Sequence, residues 1–465
     1  MTNNGSHKKR WFLGIVPVVG IAVLWWSMLD QRSIELHPIS SAGQNVHPDL
    51  AVDVHGNVYA TWIQIKDGSS QVMFSKSEDR GRSFQPPVAV SPPEMDLDTG
   101  ADGGPEIEVG SQGQIYLAWG GTLSQEPTMR PSGLEVPGKH IHNSRAALDI
   151  YFSRSLDGGR TFSAPKPVND DVNVGEGDSL EKQFRHRLPA MTLGPDEAIY
   201  ITWIDKRKGD SLDPNITDIF VAKSTDGGET FGPNIEATAL QQESTCICCK
   251  PSVSVGSANE VMVTFRNSID EIKDMYTAFS TDGGQSYPAM LPVDHGGWQF
   301  FGCPMSGPST AAHSGELHVV WADGGAHGAA GHDAQIGLTV FYARKGRSDA
   351  RFSPRLPLSA SGNHPTITVT RSGRFFAVWE EYSKEGADIY LAELTPGSAP
   401  RRRRISHSDS AYYPVVVPSP DGRELYVAWK DIGGDKPQIH FAAVPIAGNA
   451  LPSFLGALGT GKWLQ

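Results

Sequence analysis

The sequence predicts an all-β propeller of seven four-stranded blades, with six as the alternative count, behind one N-terminal transmembrane helix. Three observations carry that prediction. An X-Pro step leading into a short apolar strand recurs seven times, a second strand ending in an aromatic follows each step, and Gly (50) and Pro (33) punctuate the intervals, as turn-rich β-structure requires. A charged fraction of 20% and an apolar fraction of 39% belong to a chain with a large core rather than a disordered one. The 40 Lys+Arg against 52 Asp+Glu leave a net charge of −12. That balance excludes a general nucleic-acid binder, which needs a basic face to displace counterions.

The N-terminal ten residues, ending His7-Lys8-Lys9-Arg10, read as a cytoplasmic tail, and Trp11 to Leu29 carry no charge. As a helix this stretch spans about 28 Å, close to the hydrocarbon core of a bilayer. A cleaved signal peptide needs a shorter apolar region and small residues before the cut, where Trp25, Trp26, Met28 and Leu29 stand here. The expectation is an anchor at 11–29 in the inner or plasma membrane. Residues 30–465 then lie outside the cytoplasm, periplasmic or extracellular, because positive charge stays inside.

The X-Pro steps are His47-Pro48, Gly104-Pro105, Leu188-Pro189, Lys250-Pro251, Gly307-Pro308, His364-Pro365 and Tyr413-Pro414, at spacings of 57, 84, 62, 57, 57 and 49 residues. The second strands end at Trp62, Trp119, Trp203, Phe265, Trp321, Trp379 and Trp429. Seven such units of four strands build a seven-bladed ring. The seventh unit shows only three clear strands, and Ile34 to Ile39 read as a spare outer strand that would complete it and remove an open edge.

Four units carry Ser-x-Asp-x-Gly-x-x-aromatic between their third and fourth strands: Ser77 to Phe84, Ser155 to Phe162, Ser224 to Phe231 and Ser280 to Tyr287. The Asp side chain suits capping of backbone N–H groups in a tight turn, and Gly permits positive φ. An acidic loop also invites a calcium reading, but the turn chemistry accounts for it. The fifth unit carries a decayed copy, Arg347 to Phe352, and the sixth has Arg401 to Arg404 there, a basic run expected at a solvated loop tip. The four copies make the chain resemble the Asp-box, or BNR-repeat, propellers of the sialidase (neuraminidase) superfamily. In that family the boxes lie on the face away from the active site.

The functional face should gather the loops that lead into first strands and leave second strands. These supply His47, Arg187, Lys250, His364, Tyr412 and Tyr413, and Gln64, Asp205, Arg207, Arg266, Asn267, Asp323, Glu380, Glu381, Lys430 and Asp431. Arg187-Leu188-Pro189 is similar to the Arg-Ile-Pro motif that opens the sialidase domain. The resemblance implies that Arg187 and Arg207 clamp a substrate carboxylate, with Arg266 as third arginine. Guanidinium forks suit that task. It further implies Asp213 as acid/base with Asp210 as rival, and Tyr412 or Tyr413 as nucleophile supported by Glu380 or Glu381. The sequence departs from the family in four ways. The motif lies in unit three, unit one has Asn45-Val46-His47-Pro48 without arginine, seven units replace the family's six, and Lys250 to Ser254 lack the strand carboxylate.

All four cysteines fall in Cys246-Ile247-Cys248-Cys249 and Gly302-Cys303-Pro304-Met305, both leading into first strands of adjacent units. An even count in an exported chain reads as disulfides. The alternative is copper or zinc held by these cysteines with Met305, His140, His142, His327 or His332, since thiolate, thioether and imidazole suit those metals. No phosphate loop, dinucleotide fingerprint or haem motif is present. The expected function is binding, and possible hydrolysis, of an acidic glycan by an exo-sialidase-type site. The alternative is a non-enzymatic envelope protein that holds metal or a protein partner through its Cys/Met/His face.

Overall fold

The first strands of seven blades touch one another in a closed cycle, and the other strands of each blade radiate outward from them. This computed structural model describes residues 36–39, 42–100, 102–123, 148–171, 186–208, 216–241, 244–302, 304–324 and 338–446. All these strands belong to one compact unit that begins at Leu36. The predicted cytoplasmic tail and the anchor at 11–29 lie outside the described residues. Among those residues, no helix is long and apolar enough to cross a membrane.

Blade 1 comprises Gln44–Val52, Val58–Lys66, Ser69–Ser77 and Val88–Ala89. Blade 2 is built on Glu106–Val109, Ile115–Thr122, Asp149–Ser155 and Lys166–Pro167, with an extra strand, Asp96–Leu97, paired to the end of Ile115–Thr122. Blade 3 runs His186–Leu193, Ile199–Asp205, Asp218–Ser224 and Ile235–Glu236, and blade 4 Ser252–Val255, Val261–Arg266, Met275–Ser280 and Ala289–Pro292. Blade 5 is Ser309–His313, Glu316–Asp323, Thr339–Gly346 and Leu356–Ser359, and blade 6 Gly362–Val369, Phe375–Tyr382, Ala387–Leu394 and Arg402–Arg404. Blade 7 has Ala411–Pro418, Glu424–Asp431 and Gln438–Pro445, and its fourth strand is Leu36–Pro38 from the other end of the chain. The ring therefore closes as the sequence implied.

Arg402–Arg404 corrects one expectation. These residues are not a loop tip but the outer strand of blade 6, where Arg402 pairs with Glu381 at 2.8 Å and Arg404 with Asp388 and Asp409. Nearby carboxylates neutralise two charges of a run that looked free in one dimension.

The tryptophans that end the second strands, and Phe265 in blade 4, are at most 1% exposed. All but Trp429 sit in apolar clusters that each join two neighbouring blades. Removing one such ring costs about 3–5 kcal/mol. The Ser-x-Asp-x-Gly turns lock the outer end of this packing. In the first, Ser77 Oγ donates to Asp79 Oδ1 at 2.7 Å, and Asp79 accepts the Ser83 N–H at 2.9 Å and its hydroxyl at 2.6 Å. Hydrogen bonds from Ser83 and Ser77 hold the Asp79 carboxyl down to about 2. The turn aromatics pack edge-on against the preceding blade, Phe84 on Phe441, Phe162 on Phe74 and Phe231 on Phe152, at 5.1–5.3 Å between centroids. Each of these turns is thus a clasp between blades.

Candidate functional site

Four of the seven X-Pro steps are β-bulges. The register of first strand on second slips between Val46 and Asp49, Arg187 and Ala190, Asn363 and Thr366, and Tyr412 and Val415. The residue before each proline takes a left-handed backbone, with φ of 53° at His47, 56° at Leu188, 43° at His364 and 54° at Tyr413. Such backbone is rare for non-glycine residues, and a residue before proline favours extended backbone, so each stores about 1–3 kcal/mol of strain. A bulge also re-aims its side chain. Three of the four, from consecutive blades 6, 7 and 1, carry rings that meet: the Tyr413 centroid lies 4.2 Å from that of His364 and 5.5 Å from that of His47.

Both ring nitrogens of His364 face acceptors, Nδ1 at 2.7 Å from Glu380 Oε1 and Nε2 at 2.8 Å from the Met305 carbonyl oxygen. Only the imidazolium satisfies both. Burial opposes the charge, but Glu380, Asp102 and the Met305 carbonyl overcome it and raise the pKa to about 9. Glu380 is itself fully buried. Burial pushes its carboxyl up, yet His364, the Tyr382 hydroxyl at 2.5 Å and the Tyr413 N–H at 2.8 Å hold it below the usual range. His47 is the reverse case, since burial, reinforced by Lys430, drives it down to about 3. One tyrosine therefore stands between an imidazolium and a neutral imidazole. Environments that push like groups apart in this way divide acid from base. Lys430 adds a second cation, with Nζ 4.6 Å from the Tyr413 centroid and 5.8 Å from that of Tyr412.

The chain between Asp96–Leu97 and Glu106–Val109 links blade 2 to four others. Arg187 of blade 3 grips both Asp98 oxygens, from Nε at 2.8 Å and Nη2 at 3.0 Å. Asp102 accepts the N–H groups of Lys250 and Gly307, which lead into blades 4 and 5, and its Oδ1 lies 3.5 Å from His364 Nε2 in blade 6. Gly307 is required by close approach, because a Cβ there would stand 2.0 Å from the Lys250 carbonyl oxygen. Asp49, Glu106 and Glu108 line the same innermost strands, with Lys250 Nζ bonded to Glu106. Burial and the neighbouring carboxylates raise both Asp49 and Glu108 to about 8.

The three arginines of the expected clamp are each engaged with protein partners. Arg187 is bound to Asp98. Arg207 donates to Asp170 at 2.7 Å and to Asp205 at 2.8 Å, and lies over the Phe220 ring. Arg266 is 1% exposed and donates to the carbonyls of Lys273, Ser306 and Ala322. A substrate carboxylate would have to displace these partners. Asp205, Asp323 and Glu381 accept the indole N–H of Trp203, Trp321 and Trp379 at 2.7–3.0 Å, so much of the acidic rim is there to satisfy buried tryptophans. The phenol on Glu380 belongs to Tyr382, and the Tyr412 ring lies 6.4 Å from it. Asp210, Asp213, His140, His142, His327, His332 and Cys303 lie outside the described residues.

Sequence reasoning missed Tyr382, Asp98, Asp102, Glu106 and His186. His186 Nδ1 lies 2.9 Å from the Leu148 carbonyl oxygen and Nε2 2.9 Å from Asp171. Burial opposes its charge, and Asp149 and Asp171 still raise it to about 9. Asp171, His186 and Asp205 are close enough to share a metal. Arg207 already supplies the cation there, at 2.8 Å from Asp205 and 3.4 Å from Asp171.

Cys246, Cys248, Cys249 and Met305 form one buried cluster, as their shared lead-in position implied. Cys248 is disulfide-bonded, whereas Cys246 and Cys249 are free thiols, so staples and available sulfurs coexist. Cys246 Sγ lies 3.2 Å from Cys249 Sγ and 3.6 Å from Cys248 Sγ.

The architecture and central cluster define a seven-bladed propeller with titratable groups gathered where its innermost strands lead in. No family model matches the chain, and no curated protein does. Among solved structures, a protein of unknown function from Dyadobacter fermentans DSM 18053 matches at TM-score 0.52 and 15% identity, over 90% of this chain and 99% of that one. An ulvan lyase of polysaccharide lyase family PL25, solved with a glucuronate-containing saccharide, matches at TM-score 0.52 and 12% identity, over 88% and 96%. A Hadza microbial sialidase matches at TM-score 0.45 and 13% identity, over 74% and 66%, a likeness that carries no argument. At these identities the first two establish the fold alone.

Proposed function

We propose that the chain binds an acidic glycan on its axial face and cleaves it by acid–base chemistry centred on Tyr413. The supporting observation is the placement of Tyr413 between His364, held as a cation, and His47, held neutral. A sugar carboxylate set against His364 and Lys430 would be neutralised by two positive charges, which acidifies the adjacent C–H. Neutral His47 would then take the proton, and the Tyr413 hydroxyl, which burial and the charge of Glu380 keep protonated, would return one to the leaving oxygen. Recognition of the carboxylate in this reading falls to Lys430, supported by the positive charge of His364, rather than to Arg187, Arg207 and Arg266. The ulvan lyase, which shares the fold and carries a uronate in its structure, is compatible with this reading. We further propose that residues 11–29 tether the propeller outside the cytoplasm.

The test is to incubate the protein with polyuronates and with sialosides, following both the ultraviolet absorbance of new unsaturated uronates and the release of reducing ends. Uronate elimination is the expected result, and Tyr413→Phe should lower turnover about 100-fold or more while leaving binding intact. If neither substrate class binds in calorimetry, or if binding is unchanged in His364→Gln and Lys430→Ala, the proposal fails.

A further inference from the structure

Arg266 is a buried charge without a buried counter-charge. Its guanidinium is 1% exposed, its Nη atoms donate only to neutral carbonyls, and its Nε has no hydrogen-bond partner. Among the described residues, no carboxylate pairs with it. Lys273, the next cation, is already paired with Glu271 at 3.1 Å. A buried charge left uncompensated is strongly destabilising.

What lies beside Arg266 is sulfur. Its carbonyl oxygen accepts the Cys246 N–H at 2.9 Å, and its positive charge acts on the thiols of both Cys246 and Cys249. Those thiols are 3.2 Å apart and 3% and 1% exposed and pack with the side chain of Met305, and the Asp102 carboxyl is near enough to Cys249 to oppose its ionisation. Met305 holds a left-handed backbone at φ 49°, a strained conformation that its surroundings enforce. Its carbonyl oxygen is the one bonded to His364 Nε2.

We propose that Cys246, Cys249 and Met305 form a Cu(I) site whose charge is matched by Arg266. Two thiolates and one monovalent copper carry a net charge of −1, which one guanidinium neutralises. Cys248 cannot be a third thiolate while it is disulfide-bonded. The donor set is then two thiolates and a thioether, soft and low in number. That set suits Cu(I), whereas zinc takes four ligands and leaves no charge for Arg266 to balance. A metal about 2.3 Å from each sulfur could hold them up to about 4.6 Å apart, so the sulfurs need only part slightly. On binding, each thiol loses its proton to solvent and no oxidation state changes. This site is independent of the glycan reading.

The experiment uses the full-length chain, handled without oxygen, with two free thiols per molecule verified by alkylation after unfolding. Cu(I) is added in competition with a Cu(I)-specific chelator, copper per chain is measured by elemental analysis, and copper X-ray absorption reports the ligand atoms. One copper per chain with only sulfur neighbours is expected. Cys249→Ser should weaken retention about 100-fold and Met305→Leu about 10-fold, with the circular dichroism of both unchanged. Because Met305→Leu preserves volume, it keeps the test informative should the cysteine variant fail to fold. Failure of the reduced protein to retain copper, retention undiminished in both variants, or preferential uptake of zinc overturns the proposal.

Discussion

Tyr413 is held in a strained backbone between a charged and a neutral imidazole, and Glu380 is the group that fixes the arrangement. It bonds His364, Tyr382 and the Tyr413 N–H at once. Glu380→Gln should therefore cost about 3 kcal/mol or more, because it strips a buried imidazolium of its partner. Chemical denaturation checks the loss, and NMR titration should find His364 shifted back below about 9. The charged groups also set a pH window. His364 and His186 rise from 6.5 to about 9 on folding, so their stabilisation is complete below pH 6.5 and disappears as pH rises through 9. Asp49 and Glu108, raised to about 8, lose theirs in the same direction. His47, lowered from 6.5 to about 3, acts on the other limb: the unfolded chain takes up a proton as pH falls below 6.5 and this contribution declines. Between about pH 4.5 and 6.5 the two raised carboxyls outweigh His47, so Tm should be highest near pH 4.5 and fall as pH rises, most steeply between 6.5 and 8, and a calorimetric profile flat from pH 6.5 to 9 contradicts the assignment. His47, His364 and Tyr413 were legible as rim residues before proline, but the different protonation of the two histidines was not. It depends on Lys430, Glu380 and Asp102, which lie far from them in sequence or in a segment without counterpart in the other units. The partners of the clamp arginines were hidden for the same reason, since the carboxylate that occupies Arg187 lies 89 residues earlier.

The Ser-x-Asp-x-Gly turns offer a controlled comparison within one element. Gly158 and Gly159 both have positive φ, 77° and 91°, but a Cβ on Gly158 would meet nothing within 4 Å, whereas one on Gly159 would stand 2.3 Å from the Phe74 ring. Gly158→Ala should cost about 1 kcal/mol, the penalty of backbone conformation alone. Gly159→Ala should cost a further 1–3 kcal/mol, roughly, for displaced packing between blades. Equal urea midpoints for the two variants would remove the clasp role from these turns. The repeat spacing made strands and turns readable because period and turn chemistry are local. What stayed hidden was the bulge: an X-Pro dipeptide suggests extended chain, and the left-handed residue before it appears only once both flanking strands are paired.

The ring is held shut by Leu36–Pro38 lying on Gln438–Pro445, with Leu36 opposite Ala442, and by Asn45 Nδ2 donating to Gln438 Oε1 at 2.9 Å. A chain starting at residue 42 should expose the Gln438–Pro445 edge and associate through it, whereas one starting at Leu36 should stay monomeric. Size-exclusion chromatography separates these outcomes, and two monomers would deny the closing strand its role. The same feature sets a schedule for biogenesis. Synthesis runs from the N-terminus, so the first strand made waits for the last: Leu36 cannot find its place until the ribosome has passed Ala442. Until then the nascent chain is an open arc with two unsatisfied ends, and its cooperative completion comes only once the seventh blade has emerged. Among all positions, those near the two ends should govern whether a newly made chain matures or is lost to degradation.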